Sequence, residues 1–193
     1  MLEDNIRLHK YIVGTKVEGP GNRLVIWTQG CSMHCSGCFE TGTWDYSAGS
    51  IIKISDLVSE CQGKNISGIT VLGGEPFDQP SALNQLLGRC KDINWNTIVF
   101  TGYDYEDLLG SEDYNILDAL KNIDVLIDGK FDKDDLDYER PFVGSKNQRF
   151  IYLTDNIDQT DLESYQKHQV EIRIQKDGVV SMNGFWNVRK KGL

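Results

Sequence analysis

The chain has 193 residues, 39% of them hydrophobic, which is enough to bury one substantial core, so a single domain over 1–193 is expected. Its formal net charge of −9 argues against a nucleic-acid partner, because such binding rests on neutralising phosphates with basic groups. No run approaches a membrane span, and Met1 to Asn5 lack the basic-then-apolar pattern of an export signal, so a cytoplasmic protein with no membrane partner is expected.

In chain order, Ile6 to Val13 alternate apolar and polar with interruptions, as a first or edge strand would. Glu18-Gly19-Pro20-Gly21-Asn22-Arg23 reads as a rigid turn, and Leu24 to Thr28 as a short buried strand. From the end of that strand comes Cys31-Ser-Met-His-Cys35-Ser-Gly-Cys38, a CxxxCxxC spacing. Phe39 to Ser50 reads as ordered loop. A helix is expected from Ser55 as N-cap, with Leu57, Val58 and Cys61 inward and Gly63 near its stop. Gly68 to Leu72 is a strand that ends in Gly73-Gly74-Glu75-Pro76. Leu83, Leu86, Leu87 and Cys90 fall at helical spacing, which places Cys90 in a core.

Asn96 to Thr101 is a further strand, closed by Gly102-Tyr103, and Ile116, Leu117 and Leu120 form another helical stripe. Ile123 to Ile127 is a strand closed by Asp128-Gly129-Lys130-Phe131. Asp132 to Gln148 has no clean period and reads as a long functional or mobile loop. Arg149 to Leu153 is a strand and Asp158 to Lys167 a helix. Val170 to Gln175 and Val179 to Met182 alternate about Lys176-Asp177-Gly178 as a terminal hairpin.

Between Asp104 and Arg140, thirteen Asp and Glu stand against four Lys and Arg, which accounts for the whole −9, while the rest balances at sixteen against sixteen. That stretch reads as a solvated acidic face, with a docking surface for a basic partner as the rival.

Strand-helix-strand alternation at this rhythm predicts an α/β fold with a mostly parallel sheet. The cysteine loop, Gly73-Gly74-Glu75, Thr101-Gly102-Tyr103 and Asp128-Gly129-Lys130 each fall at the end of an expected parallel strand. All four are therefore expected on one rim, where α/β proteins bind ligands. About five or six βα strands would make a partial, open TIM-type barrel. Five cysteines with three crowded into one loop read as metal binding in a reducing compartment rather than as disulfides. Three thiolates without an obvious fourth imply an open coordination position, which is how metal sites do chemistry.

CxxxCxxC followed after a βα unit by Gly73-Gly74-Glu75-Pro76 resembles the radical S-adenosylmethionine (SAM) superfamily. Gly19-Pro20-Gly21-Asn22-Arg23 is similar to the GPG-x-R segment of the glycyl-radical-enzyme activases. Gly144-Ser145-Lys146-Asn147-Gln148 is similar to the activating protein type of anaerobic ribonucleotide reductase. The likeness runs over a core of about 18–153, leaving an extension over 154–193.

The resemblance implies that Cys31, Cys35 and Cys38 each bind one iron of a [4Fe–4S] cluster whose fourth iron is chelated by SAM. One electron then cleaves the sulfonium to methionine and a 5′-deoxyadenosyl radical that abstracts a hydrogen atom from a glycine of a large glycyl radical enzyme, an anaerobic ribonucleotide reductase. A flavodoxin-type or other one-electron donor is implied as well. Gly73, Gly74 and Glu75 would meet the SAM amino group, with glycine there so that backbone can approach closely. Gly37 and Phe39 flank the third cysteine near adenine. Thr101, Asp128 and Lys130 would face the ribose, the carboxylate or an associated cation.

Rival readings are a radical enzyme acting on a peptide or small metabolite, with Arg140, Lys146 and Arg149 gripping a carboxylate or phosphate, and a structural zinc module. In the latter His34, Cys61, Cys90 or His168 would complete the three cysteines. Gly73-Gly74 alone would be an ordinary turn. Trp27, Trp44 and Trp95 read as core or loop packing, and Trp186 as an exposed anchor for a partner.

Overall fold

The computed structural model describes residues 4–165 and 169–184, so His168 and Trp186 lie outside the described residues. Strands β1 (Asn5–Thr15), β2 (Arg23–Thr28) and β3 (Ser50–Lys53) precede helix α1 (Ile54–Glu60). Then come β4 (Gly68–Gly73), α2 (Pro80–Asp92), β5 (Asn96–Phe100), α3 (Tyr105–Leu109), α4 (Tyr114–Lys121) and β6 (Val125–Asp128). Strand β7 (Arg149–Tyr152), α5 (Gln159–Glu163), β8 (Val170–Ile174) and β9 (Val180–Gly184) follow.

Seven strands form one open sheet in the order β3-β1-β2-β4-β5-β6-β7, with β3 and β7 as its edges. Its centre, β2, β4, β5 and β6, is parallel, as the alternation of strands and helices predicts. Both flanks are antiparallel: β1 pairs with β2 and β3, and β7 with β6. The parallel set is therefore smaller than the expected five or six. The segment between β6 and β7 carries no helix, only an isolated bridge between Leu136 and Ser145. Without a crossover the chain can only return antiparallel.

Two further differences have local causes. Strand β3, which begins at Ser50 where the expected loop ends and which the sequence does not predict, is four largely exposed residues whose pairing to Asn5–Leu8 is fixed by distant chain. Helix α1 starts one residue before Ser55, where the Ile54 amide donates to the Asp4 carbonyl at 3.0 Å. The expected hairpin is present, β8 pairing antiparallel with β9.

Strand alternation divides the buried side chains between the two faces of the sheet. Leu24, Ile26, Ile69, Val71, Val99 and Leu126 pack against the helices, meeting Leu83, Leu86, Leu87 and Cys90 of α2. On the other face Ile98, Val125 and Ile127 pack with Phe142, Val143, Ile157 and Leu162 from the long loop and the α5 region. This second cluster is the smaller, and a cavity lies on its side of the sheet.

The Gly19-Pro20-Gly21-Asn22-Arg23 turn is explained by the guanidinium that ends it. Arg23 is fully buried and uses all five N–H donors. Nε donates to Thr70 Oγ1 at 2.7 Å, Nη1 to Pro20 O at 2.9 Å and Asn96 Oδ1 at 2.5 Å, and Nη2 to Ile69 O at 2.6 Å and Asn96 O at 3.4 Å. Gly19 has φ +127°, and a Cβ there would sit 2.8 Å from Ile98 Cδ1, so glycine is required where the turn crosses β5.

Candidate active site

The cysteine loop leaves β2 and is held down by Asp78, in the single 3-10 turn after β4. Its carboxylate accepts from the Ser32 amide at 2.7 Å, Ser32 Oγ at 2.9 Å and the Tyr46 hydroxyl at 2.5 Å. Cys31, Cys35 and Cys38 are free thiols, and all three line one cavity of ≈ 210 Å³. Burial pushes the Cys31 thiol up, and it does the same to Cys35 against the Phe131 amide and the Lys130 charge, which favour the thiolate.

Gly73, Gly74, Glu75 and Thr101 line the same cavity. The two glycines are required by the protein itself. A Cβ on Gly73 would lie 2.4 Å from Thr28 N, and one on Gly74 2.0 Å from Gly30 O. The Gly74 amide donates to Thr28 O at 2.9 Å and the Glu75 amide to Gly30 O at 2.8 Å. The turn is thus glycine so that the end of β4 can lie against the start of the cysteine loop, fixing the two motifs to each other.

Glu75 extends that bracing to β5. Its buried carboxylate accepts from the Phe77 amide at 3.0 Å, Thr101 Oγ1 at 2.9 Å and the Gly102 amide at 2.8 Å. Burial raises its pKa to about 7, opposed by those three donors.

The other sequence candidates fall into two groups. Phe39 lines the cavity although 78% exposed, its ring 5.4 Å from that of Phe131. Gly37, Lys130 and Asp128 are not among the cavity-lining residues. Gly37 has φ +78°, and a Cβ there would meet Lys133 Cβ at 3.2 Å. Lys130 is exposed near Cys35, and its carbonyl accepts from Asn147 Nδ2 at 2.8 Å. Asp128 follows Ile127 in β6, and the period of two turns it to the other face. There it accepts from Arg149 Nε at 3.0 Å and the Tyr105 amide at 2.9 Å.

The cations expected to grip an anion are engaged elsewhere. Arg140 pairs with Asp137 and donates to the Gln148 and Lys146 carbonyls. Lys146 pairs with Asp135 at 3.2 Å, and Arg149 bridges Asp128 and Glu106. Cys61 and Cys90 sit in the helix-side core and His34 stacks on Trp44 at 4.8 Å, so none of the three turns the cysteine loop into a closed site. Among the described residues no three His, Cys, Asp or Glu converge as one metal ion would need. A cluster of several irons asks instead for thiols arranged around it, and three cysteines on one cavity wall suit that geometry.

Glu18, Trp44, Phe131, Phe142 and Gln148 also line the cavity. Of these only Phe131 belongs to a strand-end segment, Asp128-Gly129-Lys130-Phe131. Gln148 is placed by bonds to the Gly144 amide at 2.7 Å and Gly129 O at 3.2 Å, which fold the long loop back over the end of β6. Glu18 is buried, its pKa raised to about 7 by desolvation, against hydrogen bonds from Gly184 and Asn183 of β9.

Residues 17–151 match the family model of the 4Fe-4S single cluster domain. The chain is 33% identical over 152 residues to the anaerobic ribonucleoside-triphosphate reductase-activating protein of Enterobacteria phage T4, covering 73% of this chain and 90% of that protein. It is also 33% identical over 153 residues to the protein of that name from Vibrio cholerae, covering 72% and 94%. With the pyruvate formate-lyase-activating enzyme of Clostridium pasteurianum it shares 32% over 128 residues, covering 61% of this chain and 53% of that one. The chain belongs to the 4Fe-4S single cluster domain family and, within it, to the anaerobic ribonucleoside-triphosphate reductase-activating proteins.

Proposed function

We propose that this chain is a radical SAM enzyme that activates a glycyl radical enzyme, an anaerobic ribonucleotide reductase, by removing hydrogen from one of its glycines. The observation that carries this reading is one cavity lined by three free cysteines of a CxxxCxxC loop and by the glycine turn that the loop is pinned against. Cys31, Cys35 and Cys38 would hold a [4Fe–4S] cluster, with SAM bound beside it. When bound and reduced by an external one-electron donor, the cluster and SAM would supply the radical chemistry that removes the glycine hydrogen.

The chain's own residues bind, orient and exclude water. Gly73, Gly74 and Glu75 would face the SAM amino group, Thr101 its ribose or carboxylate and Phe39 its adenine, while Gly37 and Lys130, off the cavity wall, would act only by shaping the loops beside it. Asp128 serves the site indirectly, by fixing Arg149 and the start of α3. Leu72, Phe100, Phe131 and Phe142 give the cavity an apolar wall that keeps water from a reactive intermediate. The parallel quartet, within a core of about 18–153, forms an open, partial βα barrel, and 154–193 extends it. A cytoplasmic setting and a flavodoxin-type or other one-electron donor go with this reading.

Anaerobically reconstituted protein, given reductant and the reductase, is expected to raise a glycyl doublet in electron paramagnetic resonance. Cys35→Ala is expected to lower bound iron and sulfide and bring the doublet to background. SAM cleavage by the wild type without a doublet would overturn the activase reading in favour of a peptide or small-metabolite substrate.

A further inference from the structure

Three consecutive backbone amides open the cysteine loop, and each is spent on a protein acceptor. Gly30 N donates to Thr43 O at 2.7 Å, Cys31 N to Trp44 O at 3.4 Å and Ser32 N to Asp78 Oδ2 at 2.7 Å. Asp78 is the charged acceptor of the three, and it takes more than the amide. It also accepts from Ser32 Oγ and the Tyr46 hydroxyl, and the Tyr103 hydroxyl lies 3.4 Å from its Oδ1. The Tyr46 ring in turn lies on Gly30, where φ is +98° and a Cβ would meet Tyr46 Cδ1 at 2.5 Å. One half-buried carboxylate thus ties both flanks of Cys31 to the turn after β4, to the segment before β3 and to the end of β5.

Asp78 is not among the residues that line the cavity, so it acts on what the cavity holds only through the loop and through its charge. Both reach Cys31. Burial raises the pKa of the Cys31 thiol, the Met33 and His34 amides oppose the rise, and the Glu75 and Asp78 charges add to it. Those two amides follow Ser32 directly, so holding Ser32 holds them toward the sulfur. A negative charge that disfavours a thiolate disfavours an added electron at the same sulfur for the same electrostatic reason. Net charge and hydrogen bonds to the sulfurs are among the quantities that set an iron–sulfur potential.

We propose that Asp78 is a positioning residue for the redox step: it fixes the first cysteine of the loop, and its charge lowers the reduction potential of the cluster that Cys31, Cys35 and Cys38 would hold. The inference rests on the cluster and activase reading above. The electron comes from an external one-electron donor, and no bond of the protein forms or breaks. A carboxylate at this place makes the reduced form, once the donor has supplied its electron, the stronger reductant.

The test is the midpoint potential of the anaerobically reconstituted full chain, read by redox titration followed in electron paramagnetic resonance without reductase or SAM. Asp78→Asn removes the charge and keeps an oxygen that can accept from the Ser32 amide. It should bind the same iron and sulfide as the wild type and be reduced about tenfold more readily, a rise of about 59 mV for one electron. Tyr46→Phe removes a donor and keeps both the charge and the ring on Gly30, so it should not raise the potential. An Asp78→Asn potential equal to that of the wild type would overturn the assignment. A rise of the same size in both variants would trace the effect to a loosened loop and overturn it as well, and an Asp78→Asn protein without bound iron would make Asp78 a structural latch only. The titration needs no reductase, so its outcome is separate from that of the glycyl doublet. A wild type that binds no iron would overturn the cluster reading and this inference with it.

Discussion

At the N-terminal ends of β2, β4 and β5, Arg23 is buried with every N–H donor spent on the loop and strands around it. At the C-terminal ends Glu75 is equally buried and accepts three hydrogen bonds, yet it stands on the wall of a cavity that also holds three free thiols. Both are buried charged groups satisfied by hydrogen bonds, and burial alone does not separate structure from function. What separates them is the neighbourhood. At one end Arg23 closes the packing, and at the other Glu75 braces a rim around soft donors left open.

The comparison breaks most sharply at Arg23. Arg23→Met should cost about 3–5 kcal/mol, because the carbonyls and hydroxyl it now satisfies stay buried without a donor. Urea unfolding should show a lower midpoint at unchanged slope. A loss below about 1 kcal/mol would mean that water replaces the guanidinium and the end is not closed.

A pH series sharpens the opposite end. Glu75 and Glu18 have folded pKa values raised to about 7 from 4.5, so the folded state holds protons that the unfolded state has released between those values. Their contribution is fully present below about pH 4.5 and is lost as pH rises through about 7. Asp124, whose hydrogen bonds hold its carboxyl below 3.8, acts with opposite sign in a more acidic window. Urea midpoints at pH 5 and pH 8 should therefore differ, and Glu18→Gln should remove part of the difference, on the order of 1–3 kcal/mol. An unchanged difference would show that Glu18 keeps its charge throughout.

The smallest expected effect is at the brace itself. Thr101→Val removes one of three donors to Glu75 and the acceptor for the Tyr103 amide, at a cost of about 1 kcal/mol. It should also steepen the loss of stability between pH 5 and pH 8, since the carboxylate loses support. A flat response would place the holding of Glu75 on the Phe77 and Gly102 amides.

Much of the site was legible because its parts are local. The CxxxCxxC spacing, the glycine turn and the strand-end positions are each contained in a few residues, and a parallel sheet carries strand ends to one rim whatever the helices between them. The placement of Asp128 was not. Its position at the end of β6 was readable, but the face it takes depends on register, and one residue along a strand reverses the direction. The long loop hid Phe142 and Gln148 for another reason: they reach the cavity by folding back through contacts that have no period.

By itself the sequence determined an α/β chain with a parallel centre, three cysteines at the end of one strand and a glycine turn at the end of the next, because hydrophobic periodicity and motif spacing act over short stretches. Only the tertiary structure decided that the sheet ends in antiparallel strands on both sides, that Arg140, Lys146 and Arg149 are engaged within the chain, and that the hairpin turns its polar row inward to Thr15 and Glu18. Those outcomes depend on which distant groups meet, and pairing over such separations is settled by the packing of the whole chain.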